Sequence, residues 1–509
     1  MKEKDKIKFF DISALTQTPG IKERCTVGFL QSELEKRIPS EKFCVTGVRL
    51  FENGRYRNGL NVIDGLPPFC EVVIKNQTGN FHEIITVWVP LAWNDRFAGT
   101  GGGGTSTGGK QYIRRAENTV RGLTLPYALI NGFASATADS CNVSRLTDKA
   151  IDPETNELRL DLIENWRSRT THHMAVFGKT TAEILHGRPV RFSYMNGGSG
   201  GGRQSFVEAQ EHPEDFDGIW ASCPAINWMK FLPCGFWPMA VMNDIGHVLS
   251  AKKLEAFMQA VHDSVGGSEA YYKLDKPVDF DARSAVGKYD LSEQDALVMN
   301  EIWRGLCDES GNVLCKFFRP GVKFWSTTIP VGAINYAPIT HKRSTFLLCT
   351  HVARWITGDG KRKFGDITRN EVVELFRLAA EKFPNAGADN PDLSAFAARG
   401  GKIMADHGLN DPLIPTDGTI DYFKRVCASC GGYEKVDTFL RLWLTPGDGH
   451  GDCKNKGPGI PESSGMKALI DWVENGIAPD ELRTIRVDKR TGELLDENTR
   501  KHVRLHDEY

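Results

Sequence analysis

The sequence lacks the features that mark membrane proteins, nucleic-acid-binding proteins and repeat proteins. Its 509 residues hold no uninterrupted apolar run of the roughly 18 residues that a membrane-spanning helix needs. Lysine and arginine (63) nearly balance aspartate and glutamate (65), and no segment concentrates positive charge. We therefore expect no nucleic-acid partner and no membrane partner. Internal repeats are also missing.

A signal peptide and a paired metal-binding motif are missing as well. The first residues, MKEKDKIKFFDISALTQ, lack the apolar stretch of a secretory leader, so we expect a cytoplasmic protein, or a secreted one if a leader was removed. Most of the 12 cysteines would then be reduced. Cys427 and Cys430 have CxxC spacing, but no second such pair exists, which favours plain thiols over a metal site.

Strands and helices alternate in two separate parts of the chain. β-rich runs predict strands, and segments with helical spacing lie between them at 171–186, 202–211, 417–429 and 466–476. This alternation predicts an α/β fold with a doubly wound, mostly parallel sheet. The predicted strands cover residues 80–93, 188–196, 218–225, 400–408 and 439–447.

A different pattern, dominated by helical segments, separates these two parts. We therefore predict a first core part at 1–225 with a β-rich N-terminal extension, a mostly helical insertion at 226–399, and a second core part at 400–509. A chain of this length is too long for one compact core, which agrees with such a division.

A glycine-rich turn, YMNGGSGGGRQSFVEAQ at 194–210, flanks Ser199 with glycines on both sides. A flexible linker joins polar flanks, whereas this turn joins a predicted strand to a predicted helix. The five residues from Gly197 to Gly201 match G-x-S-x-G, in which glycines allow a sharp turn that presents the serine hydroxyl. We therefore predict Ser199 as a nucleophile and the Gly200 N–H as an oxyanion donor.

An activated serine needs a base, and the base needs a carboxylate to orient it. Asp411 and His450 follow two later predicted strands, in the order Ser, Asp, His that α/β-hydrolases use. They are the predicted acid and base. Among their rivals, His407 is expected to pack or to bond to backbone, and Asp448 and Asp452 are expected to be solvated.

A second glycine tract follows the strand at 80–93. Gly102 and Gly103 in this tract are predicted to supply the second oxyanion donor, because side chains there would block the acyl group. A different interpretation is a nucleotide-binding loop, since residues 104–110, GTSTGGK, nearly match a P-loop. Gln111 then stands where a Ser or Thr should bind Mg²⁺. A hydrolase fold that only binds ligands is the other alternative.

Longer segments resemble the tannase and feruloyl esterase family of α/β-hydrolases. The resemblance implies a hydrolase core, a lid between the serine and aspartate segments, and hydrolysis of esters of aromatic acids. By position it makes Ser199 the nucleophile, Asp411 the orienting acid and His450 the base. The matching segments are LPPFCEV (66–72), VPLAWNDRFAGTGGGG (89–104), residues 171–228 around the serine, RGGKIMADHGLNDPLIPTDGTIDYF (399–423), LWLTPGDGH (442–450) and ALIDWVENGIAPDEL (468–482).

Two features of the family are missing here. The family usually has a disulfide between cysteines next to the catalytic Ser and His, but Gly198 and Gly451 occupy those positions. Cys25 and Cys70 resemble another bridged pair, which we expect either as a disulfide or as free thiols. The family's calcium loop corresponds to HDSVGGSEAYYKLD (262–275), whose carboxylates are too few and too scattered for calcium.

We therefore predict no metal and no cofactor, with a small aromatic ester as the partner molecule. Its ring needs a flat apolar slot, and the insertion offers several aromatic side chains for this role. The selected candidates are Trp228, Trp237, Phe317 and Trp325. The acid itself, whether gallic, ferulic, caffeic or another, is left open.

Overall fold

The computed structural model describes residues 8–59, 61–113, 123–141, 143–144, 147–324, 334–336, 343–345, 347–451, 453, 457–488 and 490–504. Within this part of the chain, no helix is both long enough and apolar enough to cross a membrane.

A nine-stranded sheet forms the centre of the molecule. Its spatial order is β1-β4-β5-β7-β6-β10-β11-β16-β17. The first three pairings are antiparallel, and the other five are parallel. The strands are β1 (Lys42–Phe51), β4 (Phe69–Thr78), β5 (Phe81–Pro90), β6 (Arg96–Thr100), β7 (Ala134–Asp139), β10 (Phe192–Gly198), β11 (Gly218–Ser222), β16 (Lys402–Gly408) and β17 (Leu440–Thr445).

The described residues also form five two-stranded sheets. They pair β2 (Arg55–Asn58) with β3 (Asn61–Asp64), β8 (Val143–Ser144) with β9 (Thr147–Asp148), β12 (Leu306–Cys307) with β13 (Val313–Cys315), β14 (Ile334–Tyr336) with β15 (Arg343–Thr345), and β18 (Glu481–Val487) with β19 (Leu494–Lys501).

Helices connect the strands throughout. They are α1 (Ile21–Arg24), α2 (Val27–Arg37), α3 (Leu125–Ile130), α4 (Leu160–Glu164), α5 (Thr170–His186), α6 (Gly200–Glu211), α7 (Trp228–Cys234), α8 (Trp237–Ile245), α9 (Ala251–Ser264), α10 (Ser268–Tyr271), α11 (Glu293–Arg304), α12 (Leu347–Thr357), α13 (Arg369–Lys382), α14 (Ser394–Ala398), α15 (Thr416–Ser429), α16 (Tyr433–Val436) and α17 (Glu462–Asn475). A π-helix, Asn165–Arg169, runs directly into α5, and two 3₁₀ helices cover Lys110–Tyr112 and Ala282–Ala285.

Both faces of the sheet are covered, as the α/β prediction requires. Helices α5 and α6 pack on one face, in a core with Phe97, Met195 and Ile219. Helices α3 and α17 pack on the other face, in a core with Tyr194, Trp220 and Trp443. Strands β11 and β17 are buried along their whole length, as expected of central strands in a sheet that is covered on both sides. The predicted doubly wound, mostly parallel sheet is confirmed.

The chain between β11 and β16 is mostly helical and includes α7 to α14. Its residues supply most of a separate hydrophobic core, in which Trp228, Phe236 and Trp355 are fully buried. The chain therefore leaves the sheet after β11, builds a second core and returns at β16. The carboxyl ends of β10, β11, β16 and β17 meet at one edge of the sheet, where parallel strands place their functional loops.

One buried carboxyl group in α6 makes stability depend on pH. Burial raises the pKa of Glu208 well above its usual range, and the nearby Asp215 charge adds to this. A group whose pKa is higher in the folded protein contributes stability fully below its unfolded pKa and loses it as the pH rises through the folded pKa. As the pH rises above the unfolded pKa of Glu208, the free energy of unfolding should therefore fall more steeply, or rise less, in wild type than in Glu208→Gln.

Chemical denaturation at several pH values would measure the effect. Glu214→Gln is the matched control, because Glu214 lies nearby and is exposed. The same pH dependence in wild type and in Glu208→Gln would contradict the prediction.

Candidate active site

Ser199 occupies a strained position between β10 and α6. Its backbone angles are φ 62° and ψ −123°, a region that side chains strongly disfavour and that clusters at functional sites. The Ser199 N–H donates to the Ser222 carbonyl (3.0 Å), and the Ser199 carbonyl accepts from the N–H groups of Arg203 and Ala225 (3.0 Å each). The turn is therefore fixed on both sides, with Ser199 partly exposed.

The glycine after the serine allows a second loop to approach. A Cβ on Gly200 would lie 2.3 Å from the Gly104 carbonyl oxygen, so no other residue fits without moving that loop. The Gly101–Gly104 tract therefore packs directly against the start of α6, which is where a second oxyanion donor has to lie.

The N–H groups in that tract are used differently from the prediction. Gly102 N–H donates to Gln204 Oε1 (2.9 Å), and Gly103 N–H donates to the Ser106 carbonyl (3.0 Å). Neither N–H is left for a substrate oxygen, so this detail of the prediction needs correction. Within the described residues, the N–H groups of Gly104 and Gly200 have no acceptor.

Asp411 lies on the loop after β16 and is saturated with donors. Its Oδ2 lies 2.7 Å from His450 Nδ1 and 3.1 Å from His407 Nε2. Its Oδ1 accepts from the N–H groups of Leu413 (2.8 Å) and Ile414 (3.1 Å). The carboxylate is buried, and these contacts fix its orientation toward the His450 ring.

The charges on this pair support each other. Burial alone would raise the pKa of Asp411, but the His450 charge and hydrogen bonds from both imidazoles hold it below its usual range. Burial would lower the pKa of His450, but the Asp411 charge and contact with Cys223 raise it well above its usual value. The two side chains form a buried, hydrogen-bonded acid and imidazole.

The alternative candidates for the acid and the base, His407, Asp448 and Asp452, differ in their surroundings. His407 is predicted to pack or to bond to backbone. Its ring is buried, but its hydrogen bonds link two side chains, Asp411 and Thr419, whose Oγ1 lies 2.8 Å from His407 Nδ1. Asp448 is not solvated: it is buried and accepts from the Gly449 N–H (3.0 Å). Asp452 lies outside the described residues.

Cys223 lies in the segment that contacts both the serine turn and the His450 imidazole, and no sequence pattern predicted this role. It follows β11, and the neighbouring residues Ser222 and Ala225 hydrogen-bond to the Ser199 backbone. Its thiol contacts His450, and burial raises the pKa of this thiol. The segment after β11 therefore brings Ser199, Cys223 and His450 to one edge of the sheet.

Two glycines, Gly198 and Gly451, occupy the positions where the family has its disulfide. Gly198 ends β10 and pairs with Ser222 in the sheet, and Gly451 has a left-handed φ of 54°. His450 is therefore held by Asp411 and Cys223 instead of a covalent link. The thiols of Cys25 and Cys70 contact each other, and this contact lowers the pKa of Cys25.

The predicted aromatic candidates are all core residues where they are described. Trp228 packs against Phe231 (5.8 Å between ring centroids), which also contacts Phe317 (6.3 Å). Trp237 Nε1 donates to the Glu301 carbonyl (3.0 Å), at the edge of a cleft with many charged side chains. Trp325 lies outside the described residues.

The carboxylates of the predicted non-calcium loop have separate partners. Asp263 accepts from Gln259 (2.7 Å), and Asp275 accepts from Arg500 (2.7 Å). Because these two carboxylates bond to different side chains, we still expect that the loop does not bind calcium, and this stays a prediction.

The P-loop-like tract does not form a phosphate cradle. Gly109 N–H donates to Thr137 Oγ1 on β7 (3.0 Å). The tract ends in a 3₁₀ helix, Lys110–Tyr112, whereas a P-loop leads into an α-helix.

The sheet, the strained serine turn and the acid and imidazole loops define an α/β-hydrolase fold. The sequence profile described as "Tannase and feruloyl esterase" matches residues 70–268 and 369–504. This chain belongs to the tannase and feruloyl esterase family of carboxylic ester hydrolases, which confirms the resemblance.

Curated relatives cover most of the chain. A probable feruloyl esterase of Arthroderma benhamiae is 32% identical over 444 residues, or 82% of this chain and 78% of the relative. A probable feruloyl esterase B-2 of Aspergillus terreus is 27% identical over 464 residues, or 86% of this chain and 82% of the relative.

Solved structures share the fold. The tannin acyl hydrolase from Aspergillus niger superposes with a TM-score of 0.79 at 19% identity, covering 96% of this chain and 93% of the other. Feruloyl esterase B from Aspergillus oryzae gives a TM-score of 0.73 at 20% identity, covering 93% and 95%.

Proposed function

We propose that the protein hydrolyses esters of phenolic acids through an acyl-enzyme on Ser199. The observation that carries the proposal is the strained Ser199 turn, which shares one edge of the sheet with a buried His450–Asp411 pair. His450 is the base and Asp411 is the acid that orients it. Gly200 and Gly104 are the oxyanion donors, because their N–H groups are not already engaged.

The reaction proceeds by acyl transfer in two steps. His450 Nε2 takes the Ser199 proton as Oγ bonds to the ester carbonyl carbon, and the Nδ1–H stays bonded to Asp411. The carbonyl oxygen becomes an oxyanion held by the two glycine N–H groups. Collapse of this intermediate breaks the ester C–O bond, and His450 protonates the departing alcohol. Water, deprotonated by His450, then releases the acid.

The substrate class rests on the relatives, whose names specify feruloyl and tannin esters. The helical segment 226–399 is proposed as a lid over the core. Arg319 of this segment pairs with Asp417 at the start of α15, so the lid is tied to the helix that follows the Asp411 loop.

A panel of methyl gallate, methyl ferulate, chlorogenate and simple aliphatic esters tests this proposal. We expect at least one phenolic ester to be hydrolysed with a kcat/KM that exceeds the aliphatic values. Labelling with a fluorophosphonate separates an esterase from a hydrolase fold that only binds, since only an activated serine reacts. Aliphatic preference or absence of labelling would contradict the proposal.

Gly104→Ala should lower kcat by roughly 100- to 1,000-fold, the loss that follows when one oxyanion donor is removed. Gly104 has a φ of 61°, so an alanine strains the backbone and shifts the N–H. Gly400→Ala is the matched control: its φ is 88° and no atom lies within 4 Å of the new Cβ. Equal loss of kcat in both variants would show that general strain, not the donor, causes the effect.

A further inference from the structure

A buried group of metal-type donors lies at the centre of the proposed site. One donor atom each from Cys223, Asp411 and His450 lies within 4.8 Å of the other two, and all three side chains are buried. The proposed ester hydrolysis uses the imidazole and the carboxylate for proton transfer, whereas the thiol only contacts the imidazole. The presence of a thiol beside the imidazole and the carboxylate is therefore not explained by the proposed reaction.

The other such group within the described residues is a poorer site. It contains His172, His212 and Glu214, which are partly or fully exposed. The two imidazole rings stack, with 4.1 Å between centroids and 15° between planes. Lone pairs in stacked rings run parallel and do not converge on one ion.

The donors around Cys223 match a thiophilic divalent cation. Thiolate, imidazole and carboxylate are the ligands of Zn²⁺, with bonds of about 2.3 Å to sulfur and about 2.0–2.1 Å to nitrogen. Tetrahedral ligands then lie roughly 3.5 Å apart, a value between the 2.7 Å that separates Asp411 Oδ2 from His450 Nδ1 and the 4.8 Å limit that holds for all three donor atoms. One thiolate and one carboxylate also neutralise a buried dication, which an uncharged pocket would not tolerate.

We propose that Cys223, His450 and Asp411 form a binding site for Zn²⁺ or Cd²⁺ whose occupation inhibits the enzyme. The Cys223 S–H proton leaves to solvent as the metal–sulfur bond forms. The cation binds His450 Nδ1, beside Asp411, in place of the ring proton, which moves to Nε2 and there blocks acceptance of the Ser199 proton. The partly exposed Ser199 marks the route by which a small ion enters. The inhibition rests on the proposed function, whereas the binding does not.

Zn²⁺ titration of ester hydrolysis tests the inhibition. Wild type should be inhibited reversibly, with recovery on adding EDTA, and Mg²⁺ should have no effect because it avoids thiolate ligands. Cys223→Ser should require at least tenfold more Zn²⁺ for half inhibition. Cys44→Ser, which removes an exposed thiol, is the matched control and should behave like wild type.

Cd²⁺ binding tests the site without any turnover. A cadmium–thiolate absorption band should appear in wild type and in His172→Ala, which disables the other donor group, but should be weaker by one thiolate in Cys223→Ser. If Cys223→Ser does not fold, Cys223→Ala serves in both assays. The same Zn²⁺ sensitivity or the same cadmium band in wild type and the Cys223 variant would overturn the proposal. A Cys223-dependent band in a protein without esterase activity would support the site and contradict the proposed function.

Discussion

Ser199→Ala should lower kcat for the preferred phenolic ester by about a millionfold, the loss seen when a serine nucleophile is removed. Without the Oγ no acyl-enzyme forms, although the Gly104 and Gly200 donors remain. The variant should fold, because the Ser199 side chain makes none of the backbone bonds to Ser222, Arg203 and Ala225. Steady-state kinetics and thermal unfolding measure the two expectations.

Ser205→Ala is the matched control for this prediction. Ser205 lies in the same helix, is buried, and its hydroxyl donates to the Gly201 carbonyl (3.0 Å). We expect its kcat to stay within about tenfold of wild type, since that bond is worth about 1 kcal/mol. Ester turnover by Ser199→Ala above a thousandth of the wild-type rate would end the nucleophile assignment.

Asp411→Asn should lower kcat by about 10,000-fold with little change in KM. The amide oxygen would accept from the Leu413 and Ile414 N–H groups, as Oδ1 does now. The NH₂ group would then face His450 Nδ1 and force the proton onto Nε2, where it blocks acceptance of the serine proton. Kinetics at several substrate concentrations separate kcat from KM.

Asp448→Asn supplies the comparison, because Asp448 is also buried and lies two residues from His450. The asparagine oxygen can keep the bond that Asp448 Oδ1 accepts from the Gly449 N–H, so we expect less than a tenfold change in kcat. If Asp448→Asn loses more activity than Asp411→Asn, Asp448 is the orienting acid and our assignment is wrong.

Features encoded by short segments could be predicted from the sequence. Strand alternation placed β5, β10, β11, β16 and β17 within a few residues, because apolar runs and turn residues are local signals. The Ser199 turn was predictable for the same reason, since its glycines and flanking elements are contiguous. Asp411 and His450 followed from their positions just after predicted strands.

Features that depend on distant contacts could not be predicted. The Gly102 N–H donates to Gln204, a residue 102 positions away, and no local sequence pattern predicts that hydrogen bond. His407 contacts Asp411 because the loop after β16 folds back, and Cys223 reaches His450 because β11 and β17 bring separate loops together. Each of these outcomes requires the assembled sheet.

The order of strands in the sheet has a practical consequence for using this enzyme on a solid support. Cys44 is exposed on β1, and β1 is one of the two edge strands of the sheet, five places from β10. Coupling through that thiol would anchor the molecule by the side remote from the reaction. The support would then not cover the loops around Ser199, so esters in solution could still reach them.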